Sequence, residues 1–315
     1  NEAVTLYEGL SVKTEKENIR VVKGVDCRSS FSDPMIPLTD EAVREVKEAA
    51  EWADAVILAV GEHSDMSGEA RSRAFLDLPE EQQKLAEIVF SCQKPVVTVL
   101  FNGRPLDLRY ISEKSAAVVE AWFPGSEGGN AVADILYGDI LPQGRLTMSF
   151  PYCVGQVPVY YNHGATGRPY DPKNPEERYV SRYTDIPNEP LYPFGYGLNY
   201  TDIAYKEIIL SENVLKDSVK VFVTLENIGN RAANETVQLY IKQPAAERVR
   251  PVLSLKAYQQ IFIQPGEVQT VQFLLERENL AYRHMDGSFT ADSGKYEVHI
   301  GANSADTQSV SFIIE

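Results

Sequence analysis

Three carboxylic side chains lie close together in the stretch that follows the first strongly apolar run of the chain. Residues 54–60 are continuous and apolar, and Glu62, Asp65 and Glu69 come directly after them. Carboxyl groups this close in sequence can meet in space. A pair of them can act as acid and as nucleophile or base, which is the chemistry that cleavage of a glycosidic bond requires. The simpler interpretation is a solvated loop, because polar loops commonly follow strands.

Other chemistries fail on spacing in the same stretch. His63 and Asp65 have no third and fourth ligand at zinc-site distances, so no metal site is expected. Ser64 and Ser67 lack the Gly-x-Ser-x-Gly pattern of a nucleophile elbow. The glycine-rich residues 125–129 lack both common phosphate-binding patterns, which favours a tight turn over a nucleotide site. No cofactor is therefore implied.

The elements around this loop are predicted to alternate between helix and strand. Thr39 can cap a helix whose apolar residues recur at helical spacing, and Gly138 can end another. The apolar runs between the helices are short, continuous and rich in branched residues, as strands buried on both faces should be. They are residues 54–60, 95–101 and 116–123. This order predicts an α/β fold, a mostly parallel sheet with helices on both faces.

After about residue 205 the hydrophobic period changes to two. The alternating apolar positions form five groups: Val219, Val221, Val223 and Leu225; Val237, Leu239 and Ile241; Val271, Phe273 and Leu275; Tyr296, Val298 and Ile300; Val310, Phe312 and Ile314. Turn residues separate these groups. Short alternating strands of this kind predict an all-β, immunoglobulin-like sandwich.

Between the two patterns, residues 153–200 are rich in Pro, Gly, Tyr and Arg and show no clear period. An irregular segment of this length is uncommon unless it is functional or wraps a neighbour. We predict an α/β domain over residues 1–160, a connecting segment over 161–199 and the β-sandwich over 200–315.

Charge and cysteine content narrow the possible partners. The chain has 45 acidic and 30 basic residues, a net charge of −15 that argues against nucleic acid and anionic membranes. The apolar runs are too short for the roughly 20 residues of a membrane-spanning helix. The three cysteines, Cys27, Cys92 and Cys153, are far apart and predict no disulfide framework.

Longer motifs occur in a fixed order along the chain. They are GEHSDMSGEARSRAFLDLPEEQQKL, KPVVTVLFNGRPL, AWFPGSEGGNAVADILYGDILPQGRLTMSFP, LYPFGYGLNYT, LKAYQQIFIQPGE and SGKYEVHIGANS. Together these motifs resemble glycoside hydrolase family 3, and the last two resemble its fibronectin type III-like domain. The segment VGQVPVYYNHGATGRPY is similar to the periplasmic β-glucosidase type of Gram-negative bacteria.

The resemblance implies roles for two residues. Glu69 matches the acid/base glutamate that the family's α/β sandwich domain supplies, and Arg73 matches an arginine four residues further on that we expect to contact substrate. Many members have Asp where this chain has Ser72. The nucleophile comes from an N-terminal (β/α)8 barrel, whose motif is not found here. The resemblance thus implies the C-terminal portion of a periplasmic or secreted enzyme.

The activity implied for the complete enzyme is retaining hydrolysis of terminal, non-reducing β-linked sugars, with no cofactor. The expected partners are a β-linked glycoside and the barrel domain, and this chain alone is expected to be inactive. A non-catalytic carbohydrate-binding or adhesion module is the alternative, and a flavodoxin-like nucleotide-binding domain is a third hypothesis. Because Met66 is the only aliphatic anchor between Gly61 and Arg73, we also predict a poorly ordered loop.

Overall fold

The computed structural model describes residues 2–26, 36–79 and 81–315. The chain divides into two compact units. Unit 1 comprises Asn1–Ile140 with Phe150–Val157, and unit 2 comprises Leu141–Ser149 with Pro158–Glu315. The connecting segment that the sequence suggests over residues 161–199 is therefore part of the same compact unit as the β-sandwich.

Unit 1 is built around a parallel sheet of three strands that lie in sequence order. Neighbouring strands are connected by helices, as the alternating sequence pattern predicts, and α3 packs against β1 and α4 against β3. The elements are α1 (Leu6–Lys13), α2 (Asp40–Trp52), β1 (Val56–Gly61), α3 (Gln82–Ser91), β2 (Val96–Phe101), α4 (Arg109–Lys114), β3 (Ala117–Glu120) and α5 (Gly128–Tyr137). Short 3-10 turns occur at Lys16–Asn18, Ser64–Met66 and Val154–Gln156.

Local sequence explains where these helices begin and end. The Thr39 hydroxyl accepts a hydrogen bond from the amide of Ala42, which caps α2. Gly138 ends α5 in the left-handed conformation, with φ of 74°, as a C-terminal glycine should. Helices α1 and α5 touch at Gly9, where an added Cβ would lie 2.2 Å from the carbonyl oxygen of Gly129. The α/β prediction is confirmed for this unit.

Unit 2 is a β-sandwich of two sheets. One sheet has the strand order β5-β13-β12-β7-β8 and the other β4-β6-β9, and the pairs are antiparallel except β13 with β5. The elements are β4 (Ile203–Leu210), β5 (Val214–Leu215), β6 (Ser218–Asn227), β7 (Ala233–Lys242), β8 (Ser254–Ile263), β9 (Val268–Glu276), α6 (Arg277–Leu280), β10 (Tyr282–Arg283), β11 (Phe289–Thr290), β12 (Gly294–Gly301) and β13 (Thr307–Ile314). The short strands β10 and β11 form a hairpin.

The core of unit 2 consists of the side chains that the two-residue period selected. Val221, Leu239, Val298 and Phe312 are at most 1% exposed, and Val310 packs against this core from its edge. Burial of one face of each strand fixes the register, since a slip by one residue would turn the apolar face outward. The predicted all-β sandwich is confirmed.

Strand β7 departs from simple alternation because its second face is also covered. Gln238 donates to the carbonyl of Gly195 at 3.0 Å, and the Tyr240 ring meets that of Tyr161 edge-on, with 5.8 Å between the ring centroids. Both partners come from the irregular segment of unit 2. That segment is thus packed on the sheet, which accounts for its length without regular secondary structure.

Three further features of the described residues concern membrane-spanning helices, metal sites and thiols. No helix in residues 2–26, 36–79 and 81–315 is long and apolar enough to cross a membrane. Over the same ranges, no three metal-ligating side chains cluster into a metal site. Cys92 and Cys153 are half-buried free thiols, and Cys27 lies outside the described residues.

Candidate active site

Polar side chains gather where the three parallel strands of unit 1 end. Glu62 follows β1, Asn102 follows β2, and Glu120 is the last residue of β3. Since parallel strands end at the same edge of a sheet, these residues lie along one edge, which is where ligands bind in open α/β sheets. This edge of unit 1 is the candidate active site.

Glu62 is the buried anchor of the edge. Its side chain has no exposed surface, and its Oε1 lies 2.9 Å from Nη1 of Arg73 and 2.9 Å from Nε of Arg104. Its Oε2 accepts a hydrogen bond of 3.2 Å from the amide of Gly103. A buried carboxylate with two arginine partners and a backbone donor is well compensated for its loss of hydration.

The same two arginines hold the loop of residues 62–78. Arg104 donates through Nη2 to the carbonyl of Arg71 at 2.9 Å and also to that of Met66, whose side chain is buried. Arg73 donates through Nη2 to the carbonyl of Asp77 at 2.9 Å. The loop therefore has polar anchors in addition to Met66. Its mobility stays a prediction.

Glu69 lies at an exposed turn of this loop. Gly68, with φ of 126°, and Ala70, with φ of 58°, flank it in left-handed backbone conformations, and the amide of Arg71 closes the turn on the carbonyl of Gly68 at 3.2 Å. Within the described ranges, the Glu69 carboxylate has no hydrogen-bond partner in the chain. It is therefore available to a proton acceptor or donor from outside.

The three acids that the sequence singled out have different surroundings. The Glu62 carboxylate forms ion pairs with Arg73 and Arg104. The side chains of Asp65 and Glu69 are exposed. Asp65 is near His63, whose Nδ1 accepts from the Asp65 amide at 3.2 Å. Glu62 is thus buried and paired, whereas the other two acids of the loop face solvent.

Gly103 brings the loop, β2 and the turn after β3 into contact. A Cβ placed on Gly103 would lie 2.0 Å from Oγ of Ser67 and 2.8 Å from the ring of Phe123. Only glycine fits between the loop and that ring. Phe123 is 51% exposed, so an apolar surface borders the loop that carries Glu69.

Glu120 is a half-buried acid at the end of β3. Its Oε1 accepts from the amide of Trp122 at 3.1 Å, and its Oε2 is 3.4 Å from Nδ2 of the fully buried Asn102. Trp122 has φ of 52°, a conformation that a bulky residue rarely adopts. Burial, and to a lesser extent the nearby charge of Glu62, raises the pKa of Glu120 to about 7.

We expect the Glu120 carboxyl to make unit 1 less stable as pH rises. The folded state keeps its proton up to pH of about 7, whereas the unfolded chain releases it above about 4.5. Folded molecules therefore bind the extra proton in this window, and the free energy of unfolding falls by roughly 3 kcal/mol between these values. Below the window both states are protonated, and above it the loss is complete.

Urea unfolding followed by tryptophan fluorescence measures this effect, because both tryptophans, Trp52 and Trp122, are in unit 1. In the E120Q variant, the free energy of unfolding should fall much less over this pH range than it does in the original protein. The matched control is E113Q, since Glu113 is an exposed acid on α4. An unchanged decline in E120Q would show that another group causes it.

Sequence reasoning did not single out Arg104, Asn102 or Glu120 for this site. Asn102 and Arg104 follow the predicted strand 95–101, and position after a strand is the signal that was available for them. Glu120 lies inside the predicted strand 116–123, and only the structure places the end of β3 at this residue. The contacts among these residues could not be predicted from the sequence. Arg104 and Glu62, for example, are 42 positions apart, and no local pattern reveals such a contact.

Comparison with known proteins agrees with the fold described above. Residues 1–200 match the model of the glycosyl hydrolase family 3 C-terminal domain, and residues 235–304 match that of a fibronectin type III-like domain. The chain is 43% identical to a periplasmic β-glucosidase of Salmonella typhimurium over 89% of its own length and 36% of the relative's. It is 36% identical to a β-xylosidase of Formosa agariphila over 99% of its length and 42% of the relative's.

Solved structures give the same result. A mutant β-glucosidase from Listeria innocua in complex with laminaribiose superposes with a TM-score of 0.90 at 40% identity, covering 99% of this chain and 42% of that one. The glucose complex of that enzyme gives 0.85 at 43% identity, covering 90% and 39%. The chain thus spans about two fifths of the length of these relatives. Motifs, fold and similarity together place the chain in glycoside hydrolase family 3, as a C-terminal α/β domain followed by a fibronectin type III-like domain.

Proposed function

We propose that this chain is the C-terminal portion of a retaining β-glycosidase and that Glu69 is its general acid/base. The observation that carries the proposal is the exposed Glu69 carboxylate, which has no partner among the described residues. It lies on a loop that Glu62, Arg73 and Arg104 fasten to the sheet edge. A free carboxyl group on an anchored loop is what a proton-transfer role requires, because the acid must reach a substrate oxygen without competing contacts.

The proposed reaction uses Glu69 twice. As an acid it protonates the oxygen of the departing group while a nucleophile from the rest of the longer protein attacks the sugar carbon. As a base it then removes a proton from the water that releases the sugar from the covalent intermediate. The nucleophile is proposed to come from an N-terminal barrel domain, which the relatives' greater length accommodates.

Arg73 is proposed to position the loop and to contact substrate from its remaining donors. A guanidinium has five N–H groups. Among the residues that the structure describes, Glu62 and the carbonyl of Asp77 accept from two of those of Arg73. Its side chain is 14% exposed, so one side of it faces solvent. Loss of Arg73 would therefore loosen the loop as well as remove a substrate contact.

We infer that the substrate is a neutral β-linked glucoside or xyloside. The relatives are named β-glucosidase and β-xylosidase, and the Listeria innocua structures hold glucose and laminaribiose. A net charge of −15 disfavours acidic polysaccharides, which like charges would repel. A periplasmic or secreted location is part of the same proposal, supported by the name of the Salmonella relative.

The isolated chain is expected to show no turnover of a nitrophenyl β-glucoside at enzymatic rates of about 1–1000 per second. The reason is that it supplies one of the two carboxyl groups that the reaction needs. The longer protein, prepared in parallel, should hydrolyse the same compound. Steady-state assays of both, each with its E69Q variant, make the test.

Two results would contradict the proposal. Enzymatic turnover by the isolated chain that disappeared in E69Q would show that the chain holds both carboxyl groups. Tight binding of free oligosaccharides by an inactive chain, together with inactivity of the longer protein, would favour a carbohydrate-binding module instead.

A further inference from the structure

A large apolar cavity borders strand β1 in unit 1. Its volume is about 730 Å³, and most of the side chains that line it are apolar. They come from α1, residues 18–24, α2, β1 and α3, with Tyr137 at the end of α5. Protein interiors contain few voids larger than a water molecule. The cavity is therefore of a size and composition that a further piece of apolar polypeptide, or an apolar ligand, would fill.

Strand β1 is apolar on both faces, but only one face is covered in the part of the chain that the structure describes. Leu58 and Val60 are buried, whereas Ile57 is 39% exposed and Ala59 is also exposed. Ile57 and Ala59 line the cavity. Continuous branched apolar strands of parallel sheets are usually buried on both faces. The face of β1 that carries Ile57 is thus an apolar surface without its usual cover.

The backbone of β1 is also unpaired on one side. β1 comes first in the sheet order β1-β2-β3, so β2 lies on one side of it only. The amides of Val56 and Glu62 donate toward β2, at 2.9 and 2.7 Å. In a parallel pair, every second residue of a strand faces its partner. The amides and carbonyls of Ile57 and Ala59 therefore point away from β2, and no described residue pairs with them through its backbone.

Gln82 marks the end of this unpaired edge. Its Nε2 donates to the carbonyl of Gly61 at 2.9 Å, and its Oε1 accepts from the Gly61 amide at 2.7 Å. Gly61 is the next residue after Ala59 that points away from β2, so at this position a side-chain amide takes the place of a neighbouring strand. The unpaired edge is thus confined to the part of β1 that borders the cavity.

A second segment with unpaired backbone borders the same cavity. Residues 19–24 include three branched apolar side chains, yet Val21 is 65% exposed. The segment pairs with no strand among the described residues. A Cβ placed on Gly24 would lie 3.0 Å from the side chain of Leu85, so the segment lies beside α3, which packs against β1.

The polar groups at the cavity favour a polypeptide strand over a small ligand. Small-molecule sites combine apolar walls with a few convergent polar side chains. At β1 the available groups are instead backbone amides and carbonyls, which recur every second residue, about 6.6 Å apart along the strand. Groups with this spacing are complementary to those of a neighbouring strand.

We propose that this cavity receives one further β-strand, apolar on both faces and supplied by the part of the longer protein outside these 315 residues. The strand hydrogen-bonds to Ile57 and Ala59 and covers the exposed face of β1. The proposal rests on the proposed function only in requiring a longer protein, and the relatives are more than twice as long as this chain. A segment of the same polypeptide is favoured over a second copy because it acts at a high effective concentration.

Amide hydrogen exchange, compared between the isolated chain and the longer protein, tests this proposal. In the isolated chain the amides of Ile57 and Ala59 should exchange at least about 100-fold faster than those of Leu58 and Val60, because no bond must open first. In the longer protein all four should exchange slowly, so a peptide spanning β1 gains two protected amides in mass spectrometry. β3, at the other edge of the same sheet, is the control and should gain none.

The variant I57K tests the exposed face of β1. Its matched control is I209K, the same change at an exposed isoleucine of β4. In the isolated chain each variant should shift the melting temperature by less than about 2 °C, since both side chains are at the surface. In the longer protein I57K should return the Ala59 amide to fast exchange, and I209K should not. If the isolated chain does not fold by itself, the longer protein and its two variants still decide.

Three results would overturn the proposal. Fast exchange of Ile57 and Ala59 in the longer protein would show that no strand pairs with this edge. Slow exchange in the isolated chain that is lost on dilution would assign the edge to a second copy. Slow exchange at every concentration would show that this chain covers the edge itself. Because the test measures exchange and not turnover, its outcome is independent of the assignment of Glu69.

Discussion

Replacing Glu69 by Gln in the longer protein is expected to lower kcat on an alkyl β-glucoside by about 10²–10⁴-fold, the usual contribution of a positioned proton donor. Glutamine has the same shape but cannot donate a proton to the leaving oxygen or take one from water. Because Glu69 is exposed and makes no hydrogen bond within the described residues, folding should be unaffected. Far-UV circular dichroism checks that point.

The dependence on leaving group makes this test specific to an acid/base residue. A nitrophenol needs little protonation, so with a nitrophenyl β-glucoside the first step should survive in E69Q and the second step should become limiting. Added azide, which needs no base, should then restore turnover and yield a β-glycosyl azide. Stopped-flow release of nitrophenol and product analysis measure both effects.

The matched control is D65N, an exposed acid of the same loop. It should keep kcat within a few-fold of the original protein. If D65N lost activity and responded to azide while E69Q stayed active, the assignment of Glu69 would be wrong and Asp65 would take its place.

Replacing Glu235 by Ala should destabilise unit 2 by about 3–5 kcal/mol, the cost of leaving a buried charge without its partner. Glu235 is 2% exposed, and its Oε2 lies 3.1 Å from Nη2 of Arg145, which is also buried. Asn199 donates to the same oxygen, and Tyr205 donates to Oε1 at 2.8 Å. Burial first, and then Glu235, raises the pKa of Tyr205, so it remains a donor.

Urea unfolding followed by far-UV circular dichroism measures this loss, and hydrogen exchange of the β7 amides assigns it to unit 2. The control is E226A, which breaks the solvent-accessible pair of Lys206 and the half-buried Glu226, 2.9 Å apart, and should cost at most about 1 kcal/mol. The double variant R145L/E235L should be much closer to the original than E235A. If E235A and E226A lowered the free energy of unfolding equally, the buried pair would contribute no more to stability than the pair at the surface.

The sequence by itself determined the classes of both units and most of their elements. Thr39 and Gly138 mark helix ends, because helix capping depends on hydrogen bonds and backbone conformation among residues that are neighbours in sequence. The alternation from Val219 to Leu225 placed one face of β6 in the core, because strand geometry alone sends every second side chain the same way. Motif resemblance also identified the family, which the comparisons confirmed. Glu69 and Arg73 stay predictions for its site.

Only the tertiary structure decided which charges are paired and which are not. Glu62 and Glu69 are both acids of one loop, yet one is buried against Arg104 and the other is exposed. Glu235 meets Arg145 across 90 positions of sequence. Local periodicity reports the face of an element on which a side chain lies. The partner of a charge, and the burial that shifts its pKa, depend on segments distant in sequence that folding brings together.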